Sequence, residues 1–270
     1  MEKTGSSLLD LTYLDTLSDQ DTPVHRLDPR VKLLTTLLFI VCVVSFNKYE
    51  LSALLPFVIY PVVLVALGNL PLGYLLKKVL LAAPFAFLVG IFNPLLDRAV
   101  LVHLGPLEIS GGWVSFASIM LRFVLTVSAA LVLIASTGFN AVCVALEKMG
   151  APAAFTVQLL FLYRYIFVLG DEAQRMLRAR SLRSFGGRGM ALQVSSLMIG
   201  QLLLRTLDRA QRIHLAMRCR GFDGEIRIAR QLRIGGRDLV FLVGCSAIFL
   251  FMRLHDVPRW LGDTAMALMR

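Results

Sequence analysis

Two arginines, each placed between small residues, have the side-chain chemistry to recognise another protein. They lie in two three-residue motifs, Ala179-Arg180-Ser181 and Cys219-Arg220-Gly221. Small neighbours let the backbone of a partner approach, and the planar guanidinium can then donate several hydrogen bonds to carboxylates or carbonyls. Alternatively, each arginine offsets the negative end of a helix dipole. The motifs therefore predict a docking surface, with dipole compensation as the other interpretation.

The rest of the chain matches no common catalytic, nucleotide-binding or metal-binding motif. The phosphate-loop pattern GxxxxGK[ST], the zinc pattern HExxH, the nucleophile pattern GxSxG and the CxxC spacing do not occur in the sequence. The four histidines lie in separate segments, at His25, His103, His214 and His255. We therefore expect a non-catalytic chain that has no metal ligands and no cofactor of its own.

The positive charge of the protein is concentrated in one segment. Residues 164–237 contain fifteen Arg, no Lys and five acidic residues, which accounts for the whole formal net charge of +10. Few aromatic residues separate these arginines. The pattern therefore favours contact with anionic lipid or with a protein partner over contact with nucleic acid.

The remainder of the chain is apolar enough to lie in a membrane. It is 57% hydrophobic and 17% charged, with a mean hydropathy of +0.71, and a helix of roughly 20 apolar residues crosses a hydrocarbon core. The candidate spans are Val31–Phe46, Tyr49–Leu67, Val79–Phe92, Gly112–Thr137 and Leu239–Met252. Residues 153–169 and 190–204 could also enter the bilayer partly. We expect an all-α integral membrane protein with about five transmembrane helices (four to six) and long cytoplasmic helices.

Local signals predict several boundaries within the apolar part. Asp28-Pro29 predicts the start of the first span, because Asp can cap free N–H groups and Pro is tolerated at the first helical position. Asn93-Pro94 and Gly105-Pro106 bracket a predicted non-cytoplasmic loop. Arg122 lies inside the fourth span, where a charge is a functional candidate by default. Snorkelling, or pairing inside the helix bundle, is the simpler interpretation of Arg122.

The basic residues outside the spans predict the orientation and the organisation of the chain. Cations precede the predicted first and third spans and follow the fourth, and basic loops tend to stay in the cytoplasm. This pattern predicts a cytoplasmic N-terminus. We divide the chain into residues 1–137 with four spans, an Arg-rich cytoplasmic part at residues 138–237, and a last span with a C-terminal tail at residues 238–270.

The Arg-rich part is predicted to contain two long amphipathic helices. The first runs from Ala153 to Gly186-Gly187, and the second from Met190 to about Arg220. Asp171 and Arg175 have the acid-first i,i+4 spacing of a helix ion pair. In the second helix a basic stripe recurs at helical spacing, formed by Arg205, Arg209 and Arg212. Each motif therefore falls at or near the C-terminus of a long helix.

Four stretches of the sequence, taken in order, resemble one known family. They are His25–Leu33, Phe92–Arg98, Gln158–Tyr165 and Ala216–Gly224. Together they resemble the transmembrane coupling subunits of energy-coupling-factor (ECF) transporters, the CbiQ/EcfT family, and most of all the cobalt type. The resemblance covers roughly residues 20–230 of the chain.

The resemblance implies a role as the transmembrane coupling subunit of an ECF-type ABC importer for cobalt ions. Such a subunit transmits closure of two ABC-type ATPases (CbiO-like) to a substrate-binding membrane subunit (CbiM-like). The family also allows a small accessory membrane subunit (CbiN-like). ATP and Mg²⁺ would then bind to the ATPases, and the metal ion to the substrate-binding partner. The expected location is the bacterial cytoplasmic (inner) membrane, with multiple spans.

The resemblance also assigns roles to residues of the Arg-rich part. The two arginine motifs are the positions that dock on the ATPases in this family. Ser181 departs from the common Ala-Arg-Gly pattern, which puts in doubt any need for glycine at that position. Nearby arginines would orient the association electrostatically; they are Arg175, Arg178, Arg183, Arg212 and Arg218.

Other functions remain as alternatives. A nickel or vitamin coupling subunit would differ in its substrate-binding partner, and the docking chemistry would be the same. A self-contained channel or secondary carrier would transport without ATP, but paired polar groups inside the spans are missing from the sequence. A membrane-bound enzyme has the least support, because the sequence contains no catalytic constellation.

Overall fold

The computed structural model describes residues 13–96, 100–104, 107–183, 192–224 and 234–255. The chain forms two compact units. The apolar unit contains Leu14–Val142 and Leu232–Arg270, and the Arg-rich unit contains Met1–Tyr13 and Cys143–Gln231. Apart from one two-stranded sheet, the described regular structure is helical.

The elements of the apolar unit follow a short helical segment at residues 13–18. They are α1 (Pro29–Val44), α2 (Leu51–Leu54), a 3-10 turn (Leu55–Val58), α3 (Ile59–Leu67), α4 (Leu72–Gly90), α5 (Phe92–Leu96), β1 (Val100–Leu104), β2 (Leu107–Ser110) and α6 (Gly111–Thr137). The next elements are α7 (Phe139–Lys148), which crosses the boundary between the units, and the two long helices of the Arg-rich unit, α8 (Ala153–Arg183) and α9 (Leu192–Cys219). The last element, α10 (Gly236–Leu254), returns to the apolar unit.

Apolar helices lie at all five predicted spans, so the chain is an all-α, multi-pass membrane protein. Among the described residues, three segments are long and apolar enough to cross a membrane: Leu72–Pro94, Gly111–Thr137 and Ala153–Arg183. The third predicted span begins seven residues too late, because α4 already starts at Leu72 after Pro71. Residues 153–169, which we expected to enter the bilayer only partly, belong to a helix that meets the criteria for a span.

Aromatic side chains form the centre of the apolar unit. Phe39 stacks on Tyr60 with ring centroids 4.6 Å apart, and Phe249 packs edge-on against both rings at 5.4 and 5.0 Å. Phe57 is 1% exposed beside them. Offset and edge-to-face contacts of this kind add to the stabilisation from burial, so the cluster joins α1, α3 and α10.

A buried polar cluster joins three helix ends of the same unit. The Asp28 carboxylate accepts a hydrogen bond from the backbone N–H of Arg30 at 2.9 Å, which confirms the predicted cap of α1. The Asp238 carboxylate accepts from the backbone N–H of Asp28 at 2.9 Å and from that of Gly235 at 2.8 Å. The Lys32 ammonium donates to the Ser136 carbonyl, near the end of α6, at 2.8 Å. The starts of α1 and α10 and the end of α6 therefore lie together.

His25 is buried in the segment that leads into α1. Its Nε2 lies 3.0 Å from the Leu17 carbonyl oxygen, which can only accept, so Nε2 donates this hydrogen bond. Its Nδ1 lies 2.6 Å from the Thr22 hydroxyl. Burial lowers the pKa of His25 from 6.5, and the nearby Lys32 ammonium lowers the pKa further. The imidazole is therefore held in its neutral form.

Helices α4 and α6 pack closely at a glycine. A Cβ added to Gly90 would lie 2.9 Å from Cδ2 of Phe116, whose ring also packs edge-on against Phe87 at 5.7 Å. Small residues let membrane helices approach each other in this way. Gly90 is buried in the contact.

Two sequence expectations are refined in this unit. The loop predicted between Asn93-Pro94 and Gly112 contains two short antiparallel strands, with Leu104 opposite Leu107. Residues 97–99 and 105–106 lie outside the described residues. Arg122 donates to the carbonyl of Asn47, in the connection after α1, at 2.5 Å, so its guanidinium has a partner in the apolar unit.

Candidate partner-docking site

Helix α9 ends in a glycine cap that contains the second arginine motif. The Phe222 N–H donates to the Met217 carbonyl at 3.1 Å, and the Gly221 N–H donates to the Arg218 carbonyl at 3.0 Å. This pair of bonds is the Schellman arrangement, which requires a left-handed residue after the helix. Gly221 supplies it with φ +81°. The glycine turn therefore ends the helix at the second motif. The Arg220 side chain is exposed there.

The first motif has a different local structure, because α8 continues through it to Arg183. Arg180 is half-buried and its Nη1 lies 3.9 Å from the Met198 sulfur, a weak acceptor that leaves most of the guanidinium donors available. The Ser181 hydroxyl donates to the Arg178 carbonyl at 2.8 Å. Ser181 is helical, so this position does not need glycine.

The long helices α8 and α9 lie antiparallel where they touch. Near one end Arg180 contacts Met198, and further along Arg205 donates to the Glu172 carboxylate at 2.6 Å. Moving towards the start of α8 thus corresponds to moving towards the end of α9. The acid-first spacing of Asp171 predicted a pair within one helix, whereas the ion pair found on this part of α8 joins Glu172 to the neighbouring helix.

The antiparallel arrangement separates the two motifs. Arg220 lies about fifteen residues beyond Arg205, so it faces a point about fifteen residues before Glu172 on α8. Arg180 is roughly 23 residues beyond that point, which at about 1.5 Å per residue is about 35 Å along the helix axis. The arrangement therefore places the two motif arginines at opposite ends of one helix pair.

The predicted basic stripe of α9 lines a groove against α8. The groove has a volume of about 510 Å³ and contains Arg205, Arg209 and Arg212, with Leu169 and Ile213 among its apolar residues. The predicted supporting arginines divide between the helices: Arg175, Arg178 and Arg183 lie on α8, and Arg212 and Arg218 lie on α9. All five are exposed.

Two of the stretches that resemble a known family face each other in the Arg-rich unit. Phe161 and Tyr165 on α8, together with Met217, Phe222 and Gly224 on and after α9, line a second groove of about 410 Å³. These residues are far apart in the sequence, and the helix pair brings them together. The two stretches therefore line the same groove.

Two contacts in the structure had no signal in the sequence. The Glu172–Arg205 ion pair joins residues on different helices, so no local spacing could reveal it. The same holds for the bond from Asp28 to Asp238, 210 residues away. Among the described residues, no group of three or more His, Cys, Asp and Glu side chains could hold a metal ion.

Comparison with known proteins identifies the family. A family model described as CbiQ, cobalt transport protein, matches residues 20–230. The chain is 29% identical over 255 residues to the energy-coupling factor transporter transmembrane protein EcfT of Heliobacterium modesticaldum, covering 87% of this chain and 93% of the relative. It is 28% identical to EcfT of Bacillus subtilis over 251 residues, covering 85% of this chain and 94% of the relative.

A third relative is cobalt transport protein CbiQ of Rhodobacter capsulatus, which is 33% identical over 84 residues, 31% of this chain and 34% of the relative. The family match covers well over half of the chain, and the two EcfT relatives align along most of their length. The chain belongs to the CbiQ/EcfT family of transmembrane coupling subunits.

Proposed function

We propose that this chain couples two ABC-type ATPases to a substrate-binding membrane subunit in an ECF-type importer for cobalt ions. Arg180 and Arg220 are the docking residues, one for each ATPase. The observation that supports this assignment is their placement at opposite ends of the antiparallel pair α8 and α9, about 35 Å apart by helix rise. A single small partner could not contact both ends equally.

The helix pair suits the transmission of a mechanical change. α8 has 31 residues and α9 has 28, and the Glu172–Arg205 ion pair joins them between the two motifs. When the ATPases close on nucleotide, two rigid helices attached at their ends would move relative to each other. Packed helix interfaces respond to such displacements by discrete rigid-body shifts.

The chain itself would contribute docking and transmission, without catalysis. ATP and Mg²⁺ would bind to the CbiO-like ATPases, and the cobalt ion to the CbiM-like membrane subunit, with a CbiN-like accessory subunit allowed. The location would be the bacterial inner membrane, with the N-terminus in the cytoplasm. The exposed arginines of α8 and α9 would then face the cytoplasm, as the positive-inside rule expects.

Cobalt is proposed as the substrate because the family model is described as a cobalt transport protein and the Rhodobacter capsulatus relative is named as one. The longer alignments are with proteins named EcfT, whose name specifies no metal. A nickel or vitamin transporter is therefore the alternative. Purification of the complex from native membranes, followed by metal analysis and identification of its subunits, distinguishes these substrates.

The test of coupling uses charge reversal at the two docking residues. Arg180→Glu and Arg220→Glu together should abolish ATP-dependent cobalt uptake in cells while the chain still inserts in the membrane. The comparison variant reverses two exposed arginines on the same helices that would only orient the association, Arg175→Glu and Arg218→Glu; it should slow assembly but retain most uptake once the complex has formed. Normal uptake by the Arg180/Arg220 double variant contradicts the proposal. Transport by the purified chain without ATP would instead indicate a channel or a carrier.

A further inference from the structure

The groove that the basic stripe of α9 lines contains more positive than negative charge. Its charged residues are Arg205, Arg209 and Arg212 of α9 and Glu172 of α8. Arg205 is paired, because it donates to the Glu172 carboxylate at 2.6 Å. Within the described residues, Arg209 and Arg212 have no hydrogen bond and no ion pair. Two unpaired guanidinium groups are therefore left in the groove.

Acidic residues next to the groove do not remove this excess. Asp208 is exposed one helical turn before Arg212, but it does not line the groove, and the described residues contain no ion pair between the two. Even with Asp208 counted, the three arginines exceed the two carboxylates by one charge. Asp171 also lies outside the lining, and Arg175, one turn further along α8, offsets its charge. The groove therefore attracts an anion.

The unpaired arginines are arranged to bind carboxylates. Arg209 and Arg212 lie three residues apart on one helix, where like charges repel each other. A carboxylate between them removes this repulsion, and each planar guanidinium can donate two parallel hydrogen bonds to a carboxylate. The groove also contains Leu169 and Ile213, so the aliphatic part of an Asp or Glu side chain has apolar surface to contact. Its volume of about 510 Å³ leaves room for more than one side chain.

The groove lies midway between the two motif arginines. Arg209 is four residues beyond Arg205, so it lies opposite a point about four residues before Glu172 on α8. Arg180 is about twelve residues beyond that point, and Arg220 is about eleven residues beyond Arg209. At about 1.5 Å per residue, each motif arginine is about 17 Å from Arg209 along the helix axes.

Both motif arginines lie on the groove side of their own helix. Positions four or seven residues apart share a helix face. On α9 this spacing links Arg209 to Ala216, which lines the groove, and Ala216 to Arg220. On α8, Arg180 lies eleven residues (four plus seven) beyond Leu169, which also lines the groove. A partner that contacts both motif arginines therefore meets the groove between them.

We propose that this groove is a third docking point, which binds an acidic segment of the ATPase pair. Asp or Glu side chains of that segment bind Arg209 and Arg212, in the space between the subunits docked at Arg180 and Arg220. Complementary charge at this point fixes the register of the pair on the two helices. A lipid phosphate also matches the charge, but the position of the groove between two protein docking points favours a protein segment. The proposal rests on the proposed function, because it takes the ATPases as the partner.

The test is photo-crosslinking in the complex of the full chain with its partner subunits, purified and reconstituted in lipid nanodiscs. The probe is Thr206→p-benzoyl-Phe, at a half-buried position that lines the groove. We expect this probe to crosslink to an ATPase peptide that contains neighbouring Asp or Glu residues. Gln211→p-benzoyl-Phe is the control probe, because Gln211 is exposed on the opposite side of α9 and does not line the groove. It should not form this product, and peptide mass spectrometry identifies what each probe labels.

Charge reversal assigns the crosslink to the groove. Arg209→Glu should lower the yield of the Thr206 product about tenfold, because a charge-assisted contact is lost. Arg164→Glu is the matched control, since Arg164 is an exposed arginine of α8 that does not line the groove, and it should leave the yield unchanged. Both variants should still bind two ATPases in native mass spectrometry, because Arg180 and Arg220 are intact.

The outcomes separate this proposal from the proposed function. A wild-type complex that contains two ATPases, but whose Thr206 probe labels only lipid or no ATPase peptide, would overturn the third docking point and leave the proposed function standing. An equal yield in Arg209→Glu and the wild type would do the same. Purification of the wild type without any ATPase would contradict both proposals.

Discussion

The Asp238 carboxylate accepts the backbone N–H of Asp28 at 2.9 Å and so joins the starts of two helices 210 residues apart. The same carboxylate accepts the N–H of Gly235 at 2.8 Å, which caps its own helix. Because Asp28 is 5% exposed and Asp238 is 8% exposed, the N–H of Asp28 depends on this carboxylate for a partner. One side chain thus positions the last apolar helix against the first.

Replacement of Asp238 by alanine should destabilise the apolar unit. The buried N–H of Asp28 would lose its acceptor, which costs about 1–3 kcal/mol. Asp238→Asn keeps one carbonyl oxygen as an acceptor, so its loss should be smaller. Thermal unfolding in detergent measures the effect, with Asp208→Ala on the exposed surface of α9 as the control. Equal melting temperatures for Asp238→Ala and the wild type would show that the bridge does not contribute to stability.

The contact between α4 and α6 gives a second prediction. Gly90→Ala would place a methyl group 2.9 Å from the ring of Phe116, which must move, and overpacking of this kind costs about 1–3 kcal/mol. Gly73→Ala on the same helix meets nothing within 4 Å and should be neutral or stabilising. Thermal unfolding of both variants in detergent compares them. If Gly90→Ala melted no lower than Gly73→Ala, the close approach would be wrong.

Stability should depend on pH through His25. The pKa of His25 is lower in the folded protein than its ordinary value of 6.5, so the unfolded chain binds the proton more tightly. The stabilisation from the neutral ring is therefore complete above 6.5 and is lost as the pH falls from 6.5 through the lower folded pKa. Unfolding between pH 5 and 8 should show this loss in the wild type.

Histidine variants assign that pH dependence. His25→Gln should flatten the curve below pH 6.5, since no imidazole is left to titrate at the buried position. His214→Gln, on the exposed surface of α9, should keep the wild-type slope. If the curve became flat in His214→Gln and not in His25→Gln, the assignment of the pH dependence to His25 would be wrong.

The glycine cap of α9 should be required for docking at Arg220. Gly221 has φ +81°, where a β-branched side chain is strained, so Gly221→Val should cost about 1–2 kcal/mol and displace the end of α9. Gly221→Asn should lose less, because Asn tolerates this backbone region. Co-purification of ATPase subunits with each variant measures the effect. Equal ATPase binding by the Val and Asn variants would show that the cap geometry does not matter.

The sequence was sufficient to predict the helices but not the contacts between them. Apolar length and helix-start signals predicted five membrane helices, and the Asp28 cap is found as expected. The start of α4 was missed because Lys77 and Lys78 interrupt the apolar run, although the helix continues through them. Contacts between helices, such as Glu172 with Arg205, depend on packing over long separations and have no local pattern.

The candidate docking site was likewise predicted only in part. The sequence identified both arginine motifs, and their positions at the ends of long helices follow from helix periodicity. The two motifs look alike in the sequence. In the structure, Arg180 lies within a continuing helix and Arg220 lies at a glycine cap. The separation of the two arginines could not be predicted, because it depends on the antiparallel contact of α8 and α9.

The most direct test of the coupling proposal counts the ATPase subunits bound to the chain. Native mass spectrometry of the complex, purified through a tag on this chain, should find two ATPases on the wild type and none on the variant with both Arg180→Glu and Arg220→Glu. The comparison variant with both Arg175→Glu and Arg218→Glu should keep two, because these arginines would orient the association and not hold the complex. Two bound ATPases on the Arg180/Arg220 double variant would contradict the proposal.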